Sequence, residues 1–329
     1  MTKHIDVIVP CYNEECSLDS FCKESGRVFS GISGYAFHYI FIDDGSNDGT
    51  LEKIRGLAAA AEASADSEKC VPEVSYISFS RNFGKEAAMY AGLEASHGDF
   101  AVIMDADLQH PPQLIEKMIR IMEETGCDSC AARRVNRKGE PKIRSAFARA
   151  FYKLMNRYSD IEIVDGAVDF RLMNRRMVKA IVRMPERQRF SKGIFAWVGF
   201  DTQWIEFENV KRIVGESKWT LWGLVKYAMD GFIDFAEAPL KFVGVFGGLT
   251  TVCSAVYFLI EFLKTVIIGK DIPGYASTIC LILFFGGLTI AILSLMGEYI
   301  GRMYLETKGR QIYIEKESNI DEENKRKAD

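Results

Sequence analysis

The sequence predicts a doubly wound α/β domain, followed by two membrane-spanning helices. Short apolar or alternating runs with the length of buried parallel strands lie at residues 5–9, 39–42, 74–79 and 100–104. Stretches typical of helices lie between or after them, at residues 51–65, 85–95 and 112–125. A strand-helix alternation of this kind favours a mostly parallel sheet covered by helices on both faces.

The overall composition is that of an ordinary globular protein. The chain has 329 residues, with 41 Lys and Arg against 45 Asp and Glu, a formal net charge of −4. These values exclude a collagen, a disordered chain and a polybasic binder of nucleic acid, so no nucleic-acid partner is expected. The near-zero mean hydropathy does not exclude a membrane protein, because an average hides how the residues are distributed.

Two long runs without any charge predict a transmembrane hairpin. Residues 242–260 form a run of 19 and residues 272–297 a run of 26. At about 1.5 Å per helical residue, each run can cross a hydrocarbon core of about 30 Å. The alternative is a pair of buried helices in a large core, although soluble core helices rarely run so long without a charge. We therefore expect spans at residues 241–263 and 275–297, with Pro273 and Gly274 in the turn.

The charges that flank the hairpin predict its orientation. More Lys and Arg residues lie before and after the two spans than in the loop between them, and positive flanks stay in the cytoplasm. The first residues lack the apolar core of a signal peptide. We therefore expect a multi-pass protein of the cell membrane, with both termini and the catalytic domain, residues 1–213, in the cytoplasm.

Two further segments flank the spans. Residues 214–240 carry an apolar stripe at three- and four-residue intervals, which predicts an interfacial amphipathic helix or, alternatively, a core stripe of the catalytic domain. The stripe consists of Trp219, Trp222, Val225, Met229, Phe232 and Ala236. Residues 298–329 form a charged tail, in which residues 310–314 have the pattern of a short strand and residues 315–329 that of a disordered segment.

Polar loops follow all four predicted strands. They lie at residues 10–15, 43–50, 80–85 and 105–112. In open α/β sheets the ligand binds beyond the carboxyl ends of the strands, where such loops converge. One polar loop would be an ordinary turn with a helix cap, whereas four loops at one edge indicate a site.

An acidic pair in the fourth loop predicts a metal. Asp105 and Asp107 are two residues apart at a strand end, so both carboxylates can point the same way, and Gln109 continues the spacing. Such oxygen ligands suit Mg²⁺ or Mn²⁺ shared with a diphosphate. The alternative is a set of solvated turn carboxylates with an N-cap. The sequence has neither a P-loop nor a dinucleotide-binding glycine pattern.

These segments together resemble the family-2 glycosyltransferases that load a sugar onto a polyprenyl phosphate. The resemblance is strongest to bacterial bactoprenol glucosyltransferases and more distant to dolichol-phosphate mannose synthase. It covers nearly the whole chain and implies a nucleotide-sugar-binding domain of the GT-A type. The matching segments are VIVPCYNEE, IDDGSNDGT, FSRNFGKEAAMYAGLEASHGDF, MDADLQHPP, DFRLMNRR, FSKGIFAWVGF, GESKW and GEYIGRMYLETKGR.

The resemblance also implies roles for individual residues. Nucleotide binding is implied for Pro10, Tyr12, Asn13, Glu15, Asp44, Lys85 and Asp105. Metal binding is implied for Asp107 and Gln109 together with Asp105, and catalysis for Asp169 with the acidic pair. Binding of the acceptor phosphate is implied for Arg133, Arg144 and Lys218. The alternatives are a β-turn role for Asp44, a helix N-cap for Asp169 and a solvated basic loop near anionic lipid for the cations.

The function implied by the resemblance is transfer of a hexose, with glucose from UDP-glucose favoured, to undecaprenyl phosphate. The reaction would be metal-dependent and inverting, and the subunits would form a homo-oligomer, a tetramer. GDP-mannose, a UDP-N-acetylhexosamine and an aminoarabinose donor remain alternatives. A processive polysaccharide synthase is disfavoured, because two spans are too few for a polymer channel. A non-catalytic lipid-binding scaffold is disfavoured by the intact Asp105 and Asp107.

Overall fold

The fold is taken from a computed structural model that describes residues 2–64, 72–135, 156–157, 161–207, 238–268 and 274–320. The predicted apolar stripe of residues 219–236, the turn residue Pro273 and the end of the tail lie outside these ranges. The same holds for two of the cations expected to bind the acceptor, Arg144 and Lys218.

An eight-stranded mixed sheet forms the centre of the catalytic domain. Its strands are β1 (Lys3–Cys11), β2 (Tyr35–Asp43), β3 (Glu73–Phe79), β4 (Phe100–Ile103), β5 (Ser129–Arg134), β6 (Ala167–Asn174), β7 (Thr202–Phe207) and β8 (Glu315–Ser318). Their spatial order is β7-β5-β6-β4-β1-β2-β3-β8. Strands β1 to β4 are mutually parallel, as predicted, whereas β6 is antiparallel to both β4 and β5, and β8 is antiparallel to β3.

Helices cover both faces of this sheet, so the doubly wound architecture is confirmed. The helices of the domain are α1 (Leu18–Phe29), α2 (Thr50–Ser64), α3 (Lys85–Ala95), α4 (Leu114–Thr125), α5 (Arg175–Val182) and α6 (Ser191–Trp197). Strand β1 is buried on both sides because alternate residues enter different cores: Val7 packs with α1 and α4, and Ile8 packs with α3, α5 and α6. Burial on both faces explains why the successive residues 7–9 of the segment from which this strand was predicted are all apolar.

Two long helices follow the domain, α7 (Ala238–Ile268) and α8 (Tyr275–Thr307). Helix α8 begins where the second span was predicted to begin, and it continues ten residues beyond the predicted end at residue 297. Within the described residues, Phe284–Thr307 is long and apolar enough to cross a membrane, and its side chains are not buried. The apolar stretch Val243–Ser254 of α7 is shorter, so the predicted hairpin of two spans is not confirmed.

The segment after α8 returns to the catalytic domain instead of forming a disordered tail. We call residues 308–320 the C-terminal strap. The predicted strand at residues 310–314 is wrong in position, because the strand is Glu315–Ser318, which pairs with the outer edge of β3. The prediction of disorder fails for these residues because the edge of β3 offers backbone partners that a composition-based argument does not consider.

Side chains fix the strap along β3 and α3. The ring of Tyr313 stacks on Phe79 with centroids 4.7 Å apart, and its hydroxyl donates to Oε2 of Glu94 at 2.7 Å. The guanidinium of Arg55 donates two hydrogen bonds to the carboxylate of Glu317, at 2.8 and 2.6 Å. The strap therefore connects the end of α8 to the sheet by packing as well as by backbone pairing.

Tyr313→Ala is expected to loosen the strap, because it removes a stacked ring and a hydrogen bond. We expect a loss of about 2 kcal/mol in the free energy of unfolding, and faster proteolysis after residue 309. Thermal unfolding and limited proteolysis in detergent measure both. The matched control is Ile314→Ala, since that side chain is 52% exposed. Equal effects of the two substitutions would contradict the anchoring role of Tyr313.

Candidate active site

The ammonium group of Lys85 joins three segments of the chain at the carboxyl edge of the parallel strands. Its Nζ lies 2.7 Å from Oδ1 of Asp105, which follows β4, and 2.8 Å from Oδ2 of Asp169, which lies on β6. The pairing of β4 with β6 explains the meeting, because Ile103 lies opposite Arg171 and two more residues along this register bring Asp105 beside Asp169. The Lys85 side chain remains 38% exposed, so the cluster is open to a ligand.

Mutual attraction keeps all three groups of this cluster charged. Burial by itself lowers the pKa of Lys85, but the two carboxylates outweigh it and raise that pKa above its ordinary value. Burial alone raises the pKa of Asp105 and of Asp169, but favourable interactions outweigh it in both; the largest is with Lys85, and Lys192 adds to the effect on Asp169. The net result is a pKa below the ordinary value for both carboxyl groups. Two carboxylates and one ammonium leave a net charge of −1, which attracts a cation.

Asp44 holds the loop that carries Lys85. Its carboxylate accepts the backbone N–H of Phe83 at 2.6 Å and that of Gly84 at 2.9 Å, and the side chain is only 3% exposed. Gly84 has a φ of +99°, a conformation that favours glycine. Burial raises the pKa of Asp44 to about 6, although the two backbone donors oppose this shift. Asp44 thus does more than a simple β-turn residue, and its predicted role in nucleotide binding stays a prediction.

Two predicted nucleotide-binding residues connect the loop after β1 to the loop after β2. Asn13 donates its backbone N–H to Oγ of Ser46 and accepts the N–H of Asn47 on Oδ1, both at 2.9 Å. Glu15 accepts the N–H of Gly49 at 3.0 Å, and a Cβ on that glycine would lie 2.7 Å from the Glu15 carboxyl group. Two further predicted residues are half-buried in the same region, Pro10 and Tyr12. The structure therefore brings the first two loops together at one edge.

The acidic loop after β4 has the donor set of a cation site that a substrate must complete. Asp107 accepts the backbone N–H of Gln109 on Oδ1 at 3.0 Å, and Leu108 between them has a φ of +55°. Across the described ranges, no three His, Cys, Asp or Glu side chains are grouped as a preformed metal site. Hard oxygens from Asp105, Asp107 and Gln109 nevertheless fit a cation whose other ligands are phosphate oxygens and water.

His110 is a site residue that the sequence analysis missed. It is 3% exposed, and its ring stacks on Phe170 with centroids 5.3 Å apart and an interplanar angle of 13°. Its Nδ1 lies 4.0 Å from Oδ2 of Asp105. Burial lowers the pKa of His110, although Asp105 opposes the shift. A signal was available in the sequence, because this is the one histidine within the four polar loops.

The structure places the predicted catalytic residue Asp169 and the predicted acceptor-binding residue Arg133 on two neighbouring strands. Asp169 lies inside β6, so its interpretation as a helix N-cap is wrong; the N-cap of α5 is Asn174, whose side chain accepts the N–H of Met177 at 2.9 Å. Arg133 at the end of β5 forms an ion pair with Glu206 of β7. Arg133 is therefore the one of the three predicted acceptor-binding cations whose contacts lie within the described part of the chain.

Asp44→Asn is expected to change how stability depends on pH. The folded-state pKa of about 6 exceeds the ordinary 3.8, so the folded protein binds this proton more tightly than the unfolded chain. The stabilisation of the folded state by protonated Asp44 is fully present below pH 3.8 and is lost as the pH rises to about 6. The free energy of unfolding of the wild type relative to Asp44→Asn should fall by about 3 kcal/mol over that interval and then level off.

Denaturant titrations of both proteins at several pH values measure this difference. Asp48→Asn is the matched control with the opposite sign. Burial raises the pKa of Asp48, but hydrogen bonds from Thr50 outweigh it, so the folded-state pKa lies below the ordinary value. The stability of the wild type relative to that control variant should rise with pH. A flat difference for Asp44→Asn would contradict the buried, hydrogen-bonded carboxylate.

Comparison with known proteins agrees with the expected family. Residues 6–182 match the family model described as glycosyl transferase family 2. The CsbB protein of Bacillus subtilis is 42% identical over 316 residues, covering 96% of this chain and 92% of the relative. A prophage bactoprenol glucosyl transferase homolog of Escherichia coli is 38% identical, covering 94% and 97%. The bactoprenol glucosyl transferase of Shigella phage SfX is 37% identical, covering 94% and 98%.

The family match and the geometry concern the same residues. The matched region runs from β1 to α5 and includes Lys85, Asp105 and Asp169, which form the charged cluster. The eight-stranded mixed sheet is of the GT-A type that the resemblance implied. The chain belongs to glycosyl transferase family 2 and is a glycosyltransferase.

Proposed function

We propose that the protein transfers glucose from UDP-glucose to a polyprenyl phosphate, undecaprenyl phosphate, at the cytoplasmic face of the membrane. The observation that carries the proposal is the charged cluster of Lys85, Asp105 and Asp169, which is open to solvent at the sheet edge where nucleotide ligands of α/β proteins bind. The acceptor class and the sugar are supported by the names of relatives that align over nearly the full length of this chain.

A divalent cation, Mg²⁺ or Mn²⁺, would be held by Asp107 and Gln109 together with Asp105. When bound, it would neutralise the diphosphate of the donor and stabilise that group as it leaves. Lys85 supplies a second positive charge within the same cluster. Its ammonium is accessible and is held only by ion pairs among the described contacts, so a donor diphosphate can compete with the carboxylates for it.

Asp169 orients and stabilises charge in this mechanism and does not act as a strong base. Its pKa lies below the ordinary value, because the attraction of Lys85 outweighs burial, and a carboxylate of low pKa binds a proton weakly. The acceptor needs no strong base, since a phosphate monoester has a second pKa of about 6 and is already an anion at neutral pH. A single displacement by that anion inverts the sugar carbon without a covalent protein intermediate.

Neutralisation of the acceptor phosphate is the remaining requirement, because two anions must approach each other. We assign this role to Arg133, Arg144 and Lys218. Of these, Arg133 forms an ion pair with Glu206 on a partly exposed surface. An ion pair in such a position is weak, so a phosphate can replace Glu206 as the partner of Arg133.

Membrane attachment through α8 explains how a lipid acceptor reaches the site. Large apolar side chains on this helix are exposed, for example Ile290 at 67%, and a long exposed apolar surface of this kind is stable in lipid. Helix α7 contacts α8 and would form the other half of the proposed hairpin. The C-terminal strap then holds the catalytic domain close to the cytoplasmic end of α8.

The substrates can be tested directly with purified protein in detergent. We expect UDP release from UDP-glucose only when both undecaprenyl phosphate and Mg²⁺ or Mn²⁺ are present, and loss of release on addition of a chelator. GDP-mannose, a UDP-N-acetylhexosamine and an aminoarabinose donor should give lower rates. If one of these donors gives faster transfer than UDP-glucose, its sugar replaces glucose in the proposed reaction. No turnover with any donor would favour a non-catalytic scaffold.

Substitutions in the charged cluster should abolish transfer without unfolding the protein. We expect Lys85→Met and Asp169→Asn each to lower kcat/KM by about 100-fold or more, because each removes a charge that faces the reacting groups. Lys3→Met is the matched control, since Lys3 forms an exposed ion pair with Glu123 at the opposite end of β1. The pH–rate profile of the wild type should show no loss of activity toward low pH that disappears in Asp169→Asn; such an acid limb would identify Asp169 as a general base.

A further inference from the structure

His110 is a polar side chain buried in the site without a hydrogen-bond partner. Neither ring nitrogen has a partner among the described residues, although the residue is 3% exposed. Leaving a buried donor unpaired costs free energy, so an unpaired imidazole in a folded core calls for a reason. The stack on Phe170 and an edge contact with Phe207, at 5.7 Å between centroids, hold the plane of the ring.

The nearby carboxylate of Asp105 is the acceptor toward which this ring is placed. The distance from Nδ1 of His110 to Oδ2 of Asp105 is 4.0 Å, too long for a hydrogen bond. The same oxygen accepts from Nζ of Lys85 at 3.0 Å. A movement of about 1 Å would bring the ring nitrogen within hydrogen-bond distance.

We propose that His110 is a positioning residue for Asp105: its Nδ1–H donates to Oδ2 of Asp105 once the Lys85 ammonium turns toward the donor diphosphate. The step is an exchange of hydrogen-bond partners and requires no proton transfer. The neutral ring with its proton on Nδ1 is sufficient. His110 thereby keeps the carboxylate in one orientation after its ammonium partner has left.

A residue in the position of His110 is useful because the donor diphosphate and Asp105 compete for the ammonium of Lys85. A nucleotide diphosphate carries more negative charge than one carboxylate, so it draws the ammonium of Lys85 away from Asp105. The carboxylate that is proposed to hold the cation then loses the hydrogen-bond donor that fixes its orientation, and a rotated carboxylate would alter the donor site. This inference rests on the proposed function insofar as it takes the donor to be a nucleotide diphosphate sugar.

Three substitutions of His110 separate this role from simple packing. The amide nitrogen of His110→Asn occupies about the position of Nδ1, that of His110→Gln occupies about the position of Nε2, and His110→Phe keeps the stacked ring without any nitrogen. We expect His110→Asn to retain the affinity for UDP with Mn²⁺ and the KM for the donor within about threefold. His110→Gln and His110→Phe should each weaken the affinity for UDP and raise the KM for the donor by about tenfold. Calorimetric titration with UDP and Mn²⁺ measures the affinity independently of turnover.

Several outcomes would overturn the proposal. If His110 only fills space, His110→Phe will match the wild type in UDP affinity and in donor KM. Equal UDP affinities and equal donor KM values for His110→Asn and His110→Gln would exclude Nδ1 as the atom that donates to Asp105. If the wild type binds UDP with Mn²⁺ but transfers no sugar, the proposed function fails while the order of UDP affinities still tests His110.

A test without any ligand addresses the exchange itself. Lys85→Met removes the competing ammonium, so His110 should matter more in that background than in the wild type. We expect His110→Phe to lower the thermal midpoint by about 3 °C more when Lys85 is replaced by Met than when it is present. Additive effects in this double-mutant cycle would contradict the hydrogen bond between His110 and Asp105, whether or not the protein is shown to bind UDP.

Discussion

The ion pairs of Lys85 with Asp105 and Asp169 are the interaction on which the organisation of the active-site edge depends. They connect the start of α3, the loop after β4 and the middle of β6, three segments separated by 20 and 64 residues along the chain. Two carboxylates placed this close would repel each other without a cation between them. The same attraction keeps all three groups charged and leaves one excess negative charge for a cation.

Backbone hydrogen bonds in the surrounding loops help to hold this cluster. Asp44 binds the amides of Phe83 and Gly84 and so fixes the loop that delivers Lys85. On the other side of the site, Asn13 and Leu108 are the two non-glycine residues with left-handed backbone in the described part of the chain. Both lie in loops at the carboxyl edge, and strained backbone of this kind is typical of functional sites.

The C-terminal strap connects the end of α8 to the same loops. The backbone N–H of Ser80 donates to the carbonyl of Ile314 at 2.9 Å, immediately before the loop that ends at Lys85. Tyr313 stacks on Phe79, which in turn contacts Phe83 edge to face at 5.8 Å. The strap that follows α8 is thus connected, through three aromatic rings, to the loop that Asp44 holds.

Local patterns in the sequence were sufficient for the four parallel strands, the three helices between and after them, the polar loops at one edge and the family. Each of these is encoded within a short window, by apolar runs, by helical periodicity or by a motif. The expectation that Lys85, Asp105 and Asp169 belong to one site also came from such motifs. The direct contact among these residues could not be predicted from motifs, because it depends on the antiparallel pairing of β6 with β4.

Tertiary structure decided the features that join distant parts of the chain. The pairing of β8 with β3 was hidden in a charged segment, because the composition of a short edge strand resembles that of a disordered tail. The position of His110 as the one histidine of the polar loops did not reveal that its ring is buried against Phe170 and Phe207. The sequence by itself thus determined which residue types stand at the carboxyl edge. Only the folded chain decided which of them meet, since backbone pairing and burial depend on partners that no local pattern specifies.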